Sequence, residues 1–296
     1  MDYFLSLVIS GLTIGIIYSL MALGLTLIYS ILRVINFAHG EFYMLGGYAS
    51  YYILTAFVGI PPLLGVPLAG LVVMSIGMLL ERALLRPMHL GKIERPGEYA
   101  ILITLGLSFV IQNLALAIFG PYPVRPPSFL EGTFDLGILK ISADRTVAAF
   151  FSLLLLAALY YLITYTWLGK ALRAVSQDKD AASVVGINQL SMNSIAFGMG
   201  AGLAAVSGAL LAPIFSVIPT SGALPGIRSY VIVVLGGLGS IPGSVLGGLI
   251  LGLVENLVTG YLPDINRAVT YKNVFGLIIF AIILLVRPRG LLGREE

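Results

Sequence analysis

Trp167-Leu-Gly-Lys-Ala-Leu-Arg-Ala-Val-Ser-Gln-Asp-Lys-Asp-Ala-Ala-Ser-Val-Val-Gly-Ile-Asn188 is the longest mostly polar break in the second half of an otherwise apolar chain. On either side lie runs of about 20 apolar residues, the length needed to cross a bilayer core. The break therefore reads as a connection between two membrane spans, and it carries the pattern of a short helix of its own. Asp178 is placed to cap the start by accepting a bond from a free backbone N–H. Gly186 is placed to end it, because glycine readily takes the left-handed conformation of a helix stop. Between them lie roughly 10 Å of helix at 1.5 Å per residue. Ala181, Ala182 and Val185 fall on one face, small enough for that face to enter a groove on another protein. A solvated loop is the plainer reading. It gives no reason for paired start and stop signals, or for small apolar residues held against water.

Composition sets the class. Hydrophobic residues make up 58% of the chain and charged residues 10%, against roughly 25% charged in soluble domains. Mean hydropathy is +0.99. Long apolar runs, without the short alternating segments of a barrel, predict an all-α polytopic membrane protein. The 35 glycines suit close helix packing, since side-chain bulk holds backbones apart. With no cysteine, disulfides, thiolate metal sites and cysteine nucleophiles are excluded. No basic stripe exists to follow a nucleic acid. The first apolar run lacks a positive leading segment and is too long for a signal core, so no cleavable leader is expected.

In chain order, residues 4–32 form one long apolar run, enough for a tilted span. Arg33 closes it, and Asn36-Phe37-Ala38-His39-Gly40-Glu41 interrupts before the next. Further spans are read at 42–59, 63–80, 99–119, 146–166, 190–215, 244–259 and 272–286. Residues 227–238 are short for a full span and suit a half-helix or a tilted helix lining a protein site. The whole, residues 1–296, is read as a single domain of about eight spans plus this possible half-span. Orientation follows from the Lys and Arg residues. With the N-terminus outside, eleven lie inside: Arg33, Arg82, Arg86, Lys92, Arg95, Lys170, Arg173, Lys179, Arg287, Arg289 and Arg294. Five lie outside: Arg125, Lys140, Arg145, Arg267 and Lys272, with Arg228 unassigned. Segment 81–98 is then a cytoplasmic loop, and 120–145 and 260–271 are external. A faint symmetry pairs 36–47 with 236–248, each a break followed by a glycine-containing helix. Paired broken segments often flank a substrate path.

No catalytic constellation is present. There is no P-loop, no zinc-protease motif around His39 or His89, and no Gly-x-Ser-x-Gly elbow. Asn36, His39 and Glu41 form the sharpest polar feature near the membrane. Ionisable groups there are paired or functional, so two readings stand: helix capping at the cytoplasmic interface, or a part in a gate or path. Glu255 and Asn256 lie inside an apolar run, where an interhelical hydrogen bond competes with substrate contact. Gln112 and Asn113 read the same way. Gly236-Gly237-Leu238-Gly239-Ser240-Ile241-Pro242-Gly243 is a helix-breaking hinge. It lacks the Lys and Ser/Thr of a phosphate loop.

Three stretches, in order, resemble one family: Asn36-Phe-Ala-His-Gly-Glu41; Gly169-Lys-Ala-Leu-Arg173 with Asp178, Ala181-Ala182 and Gly186-Ile187; and Leu235-Gly-Gly-Leu-Gly-Ser-Ile-Pro-Gly243. They are similar to the branched-chain amino acid permeases of ABC importers, specifically the partner usually encoded first of the two. The likeness runs to Arg287-Pro-Arg-Gly290. It implies a non-enzymatic subunit of the bacterial or archaeal inner membrane, without a cofactor. Its implied partners are a homologous second permease, two cytoplasmic ABC ATPases and a soluble substrate-binding protein. Gly169, Arg173, Asp178, Ala181, Ala182 and Gly186 would lie in the loop, residues 167–190, that docks on the ATPase. Asn36, His39, Glu41, Gly236, Gly237, Gly239, Glu255 and Asn256 are the candidates for path or gate. Urea and short-chain amide importers share these motifs, so the substrate stays open between them. A stand-alone secondary transporter would need paired intramembrane carboxylates or an ion cage, and a membrane enzyme a clustered acid, base or metal site.

Overall fold

Glycine and alanine place α9 (Gln189–Phe215) at the centre of the fold. The computed structural model describes residues 2–57, 59–135, 140–262 and 265–293. In α9, 83% of the apolar window is buried, against 17% in α5 (Pro96–Phe119). Lipid tails are as apolar as leucine, so helices in a membrane associate by close packing at small residues. Those of α9 receive three neighbours: α1 (Asp2–Leu32), α2 (His39–Ala56) and α3 (Pro62–Leu80). Gly24 of α1 meets Gly200, Gly46 of α2 meets Ala205, and Gly77 of α3 meets Gly198 and Ala201. A Cβ on Gly46 would sit 2.0 Å from the Ala205 carbonyl oxygen, and one on Gly208 1.9 Å from that of Tyr43.

A second seam joins α1 to α11 (Ile241–Tyr261). Gly11 and Gly15 face Gly248, Gly252 and Leu253, and hydroxyls tie the same seam. Ser19 Oγ donates to the Val245 carbonyl at 3.0 Å, and Ser30 Oγ to that of Gly239 at 3.2 Å. Thr26 and Ser244 share a hydroxyl–hydroxyl bond. The shorter α10 (Ala223–Gly236) packs between α1, α2 and α11, and α12 (Ile265–Val286) packs on α10 and α11. On the other flank, α6 (Ala143–Tyr165) packs against α1 and α9.

Among the described residues, six helices are long and apolar enough to cross a membrane: 3–32, 62–89, 96–119, 143–165, 189–215 and 241–261. Together with the shorter α2, α10 and α12 they make an all-α polytopic membrane protein. The first run is one unbroken helix. The sole paired strands among the described residues form a small hairpin, Thr133–Asp135 with Lys140–Ser142, inside the connection read as external. That connection touches the one after α9 through antiparallel pairing of Val124 with Val217, so both lie on one side. The side chains of Lys140 and Arg267, and residue Arg294, counted above for orientation, lie outside the described part.

Two boundaries differ from the sequence reading. The helix of α3 continues past Leu80 through a π-helical turn, Glu81–Leu85, into α4 (Arg86–His89). Glu81, assigned above to a cytoplasmic loop, is therefore fully buried, and Ser194 Oγ donates to it. The wide π turn keeps the rod continuous, so charge alone misplaced its end. The external segment 260–271 is also much shorter than expected, because α11 runs to Tyr261 and α12 begins at Ile265.

The glycine contacts give a direct expectation. Gly208→Ala must push α2 off α9 and should destabilise the protein by about 1–3 kcal/mol, the usual effect of overpacking. Gly106→Ala, with nothing within 4 Å of its new methyl, should be neutral or stabilising by up to about 1 kcal/mol, as at an ordinary helical glycine. Thermal unfolding of both variants in detergent micelles checks the pair.

Candidate functional site

The chain turns back on itself after α1. His39, the first residue of α2, places its Nε2 3.0 Å from the carbonyl oxygen of Met21, eleven residues short of Leu32 at the end of α1. That is about 16 Å back along α1 at 1.5 Å per residue. Residues 33–38 therefore re-enter the bundle outside any helix, starting from a left-handed Arg33 (φ +58°) and ending in a turn at 37–38. Val34, Asn36 and Ala38 are buried and Arg33, Ile35 and Phe37 exposed. Asn36, His39 and Glu41 are all buried inside the protein, and α2 starts without a side-chain cap bond on its N-cap. Polarity alone does not reveal such burial.

Non-helical backbone inside an apolar bundle must find hydrogen bonds in the protein itself. Asn36 Oδ1 accepts from Ala38 N at 3.1 Å, and the Asn36 carbonyl accepts from His39 N at 3.1 Å and from the Tyr230 hydroxyl. Thr104 Oγ1 of α5 accepts from Phe37 N at 3.2 Å. One turn further along α5, Ser108 Oγ donates to Glu41 Oε1 at 3.1 Å.

The beginning of α10 lies against the beginning of α2. Gly40 and Gly222 touch backbone to backbone, so that a Cβ on Gly40 would sit 2.2 Å from the Gly222 oxygen; Gly226 closes the same contact. The approach to α10, residues 216–222, is held by the Val124–Val217 pairing and by Ser221 Oγ, which accepts from Ile218 N at 2.8 Å. In space, the start of α2 therefore meets the start of α10, the element for which residues 227–238 suggested a half-helix. Around this meeting point three buried polar atoms lack a hydrogen-bond partner among the described residues: Asn36 Nδ2, His39 Nδ1 and Glu41 Oε2.

Gly236, Gly237 and Gly239 sit at the opposite end of α10. Gly237 (φ +105°) and Gly239 (φ +81°) make the left-handed turn into α11, and Gly236 packs on the Gly243 backbone. The tail covers the turn. Leu291 N donates to the Leu235 oxygen at 2.9 Å and Leu292 N to that of Gly236 at 3.0 Å. These glycines build a tail-sealed corner, away from Asn36, His39 and Glu41.

Glu255 forms a separate buried charge cluster. Arg228 Nε lies 2.9 Å from its Oε1 and Lys272 Nζ 3.0 Å from its Oε2. Arg228 Nη1 also donates to the Tyr18 hydroxyl at 2.9 Å. The cluster ties α10, α11, α12 and α1 together. It places the unassigned Arg228, and it corrects Lys272, which the sequence put in an external loop. Asn256 bonds back to the Gly252 carbonyl of its own helix at 3.0 Å and joins nothing else. Asn113 likewise bonds to Phe109 of its own helix, while Gln112 lines an outer groove with Pro219 and Thr220.

The elbow has more structure than its sequence suggested. Trp167–Gln177 is itself a helix, α7, followed by α8 (Lys179–Val184). It buries Ala171, Leu172 and Val175 beside half-buried Leu168, an i, i+3, i+4, i+7 stripe that was available in the sequence and missed. Gly169 packs on the Leu162 and Ile163 carbonyls, and Arg173 donates to the Ile163 and Thr164 carbonyls at the end of α6. Asp178 Oδ1 caps α8, accepting from Asp180 N at 2.9 Å and Ala181 N at 3.0 Å. Gly186 (φ +85°) ends it, with Ile187 N bonded to the Ala182 oxygen at 3.0 Å, the Schellman pattern. Burial, and secondarily the nearby Arg33, lowers the Lys179 pKa, which puts the elbow beside the end of α1. One expectation fails. Ala182 is 3% exposed and turned into the protein, while Ala181, Val184 and Val185 form the outward face. The short helix is anchored through Ala182, so its outward face is displaced by one residue position.

The family model described as branched-chain amino acid transport system / permease component matches residues 7–286. The high-affinity branched-chain amino acid transport system permease protein LivH of Escherichia coli is 36% identical, over 99% of this chain and 97% of that protein. BraD of Pseudomonas aeruginosa, of the same description, is 34% identical over 99% and 97%. LivM of Salmonella typhimurium, another such permease protein, is 26% identical over 95% of this chain and 68% of its own length. No solved structure matches.

Glu255 holds two cations in a buried place, so neutralising it leaves both without an anion. Glu255→Gln should destabilise the protein by about 3–5 kcal/mol, the usual effect of breaking a buried pair from one side. Chemical or thermal unfolding in micelles measures it, with Asn256→Leu as a control expected to change stability little.

Proposed function

This chain belongs to the family of permease components of branched-chain amino acid transport systems, and from that premise we infer that it is the membrane subunit of an ABC importer for branched-chain amino acids. It works with a homologous second permease, two cytoplasmic ATPases and a soluble binding protein, in a cell or inner membrane. The match to LivM as well as to LivH supports a pairing of two related permeases. The observation that carries the transport reading is the meeting of two helix starts inside the bundle. Broken helices whose ends face each other within a membrane are a recurrent way to build a solute path.

The closest approach of α2 to α10 is made by the backbone of Gly40, Gly222 and Gly226. It serves as the gate. The capped α8 presents Val184 and Val185 outward, 88% and 75% exposed, on the face that carries Lys170, Arg173 and Lys179. That face is the cytoplasmic one, and α8 receives the push of the ATPases. Its rigid mount on α6 through Gly169 and Arg173 passes movement to the bundle. ATP binding draws the ATPases together, the elbow moves, and α2 and α10 part. The amino acid, delivered by the binding protein on the outer side, crosses and ATP hydrolysis resets the contact.

The elbow supplies the test. Val184→Glu should leave insertion and unfolding temperature unchanged. It should reduce uptake about tenfold or more in the assembled importer, the effect of losing roughly 1.4 kcal/mol of docking energy. Ala182→Glu should instead reduce the amount of folded protein. Solute uptake by the chain alone, with no ATPase present, would overturn the importer reading.

A further inference from the structure

Glu41 stands where the two helix starts meet, and its surroundings are unusual for a carboxylate. It is 5% exposed, and no ion pair to it is formed by any described residue. One oxygen accepts from Ser108; the other, Oε2, has no partner. That free oxygen points at the gap. It lies 3.0 Å from where a Cβ on Gly222 would be, between the starts of α2 and α10. Stability alone gives no reason to keep such a group. An unsatisfied buried carboxylate oxygen is costly. Glu81 also keeps one, Oε1, but within the π turn that continues α3, and Glu255 in α11 is held by two cations; only Glu41 has its unpartnered oxygen at the meeting of α2 and α10. A carboxylate kept without a cation, at a contact built to open, is a place left for a cation that arrives.

Resting on the amino acid permease reading above, we infer that Glu41 receives the α-ammonium group of the amino acid when α2 and α10 separate. Gly40, Gly222 and Gly226 put no side chain between Glu41 and the opening. Ser108 holds the carboxylate from behind, through Oε1, leaving Oε2 turned forward. Recognition is then by charge at the one end that all zwitterionic amino acids share. The apolar side chain needs no pocket of its own on this subunit. Neutral solutes of similar size, such as short-chain amides, gain less from Glu41, because an amide N–H donates to the carboxylate without the opposite charge.

The test uses the complete importer in liposomes with its binding protein unaltered. Glu41→Gln keeps the size of the side chain and an oxygen to accept from Ser108, so a purely structural role would leave leucine uptake near wild type. Recognition by charge predicts a loss of roughly tenfold or more, as for removal of a charge-assisted hydrogen bond, with partial retention in Glu41→Asp. The binding protein should still stimulate ATP hydrolysis. A second readout does not depend on transport. Because the chain has no cysteine, Ser108→Cys offers one thiol beside Glu41. In the turning-over complex a cationic methanethiosulfonate should label it faster than an anionic one, and Glu41→Gln should remove that preference. Uptake by Glu41→Gln within about twofold of wild type, a change too small for a lost ionic contact, would overturn the inference, as would labelling indifferent to charge. If the wild-type complex itself imported no branched-chain amino acid, the functional reading would fall, and this inference with it.

Discussion

Inside a membrane every backbone N–H and C=O must find its partner within the protein, and this chain breaks two helices there. The structure around α2 and α10 follows from that requirement. The segment 33–38 is held by Thr104 from α5, by Tyr230 from α10 and by the Asn36 side chain. The approach to α10 is held by Ser221 and by pairing with Val124. Once both approaches are satisfied, the helix starts can meet as bare glycine backbone. The small residues of α9 are the other half of the arrangement, since they let α2 lie close enough for His39 to reach Met21 of α1. Packing, polar satisfaction and the candidate gate are one construction.

Charge is arranged with the same economy. Glu255 is surrounded by cations and joins four helices, which makes it a fastening. Glu81 lies under the π turn with Ser194 as its donor. Glu41 alone of the three faces a contact whose two sides carry no side chains. The elbow stands apart from all of them. Its α7 is clamped to the last carbonyls of α6 by Arg173, and its α8 is pinned by Ala182.

Much of this was legible in the sequence where the signal is local. Asp178 and Gly186 announced the ends of α8 because capping uses the residue itself and its nearest backbone. The apolar runs announced the spans, and 227–238 announced a helix too short to cross. What depends on depth or on distant partners was not legible. Asn36, His39 and Glu41 look the same in a sequence whether they lie at an interface or inside a bundle. Lys272 looked external because its anion, Glu255, belongs to another helix. Ala182 and Ala181 are identical residues, and only the fold turns one inward and the other out. Gly222 carried no signal at all, as its importance comes from Gly40, which lies far away in the chain.

The central claim is that the starts of α2 and α10 must separate for solute to cross. Phe37 and Tyr230 flank that contact, with ring centroids 5.6 Å apart. Cysteines at these two positions, in a chain that has none of its own, can be bridged by a short thiol-reactive cross-linker in the assembled importer. The account predicts that bridging stops uptake while the two single-cysteine controls, treated alike, keep theirs. Undiminished uptake through fully bridged protein would contradict it.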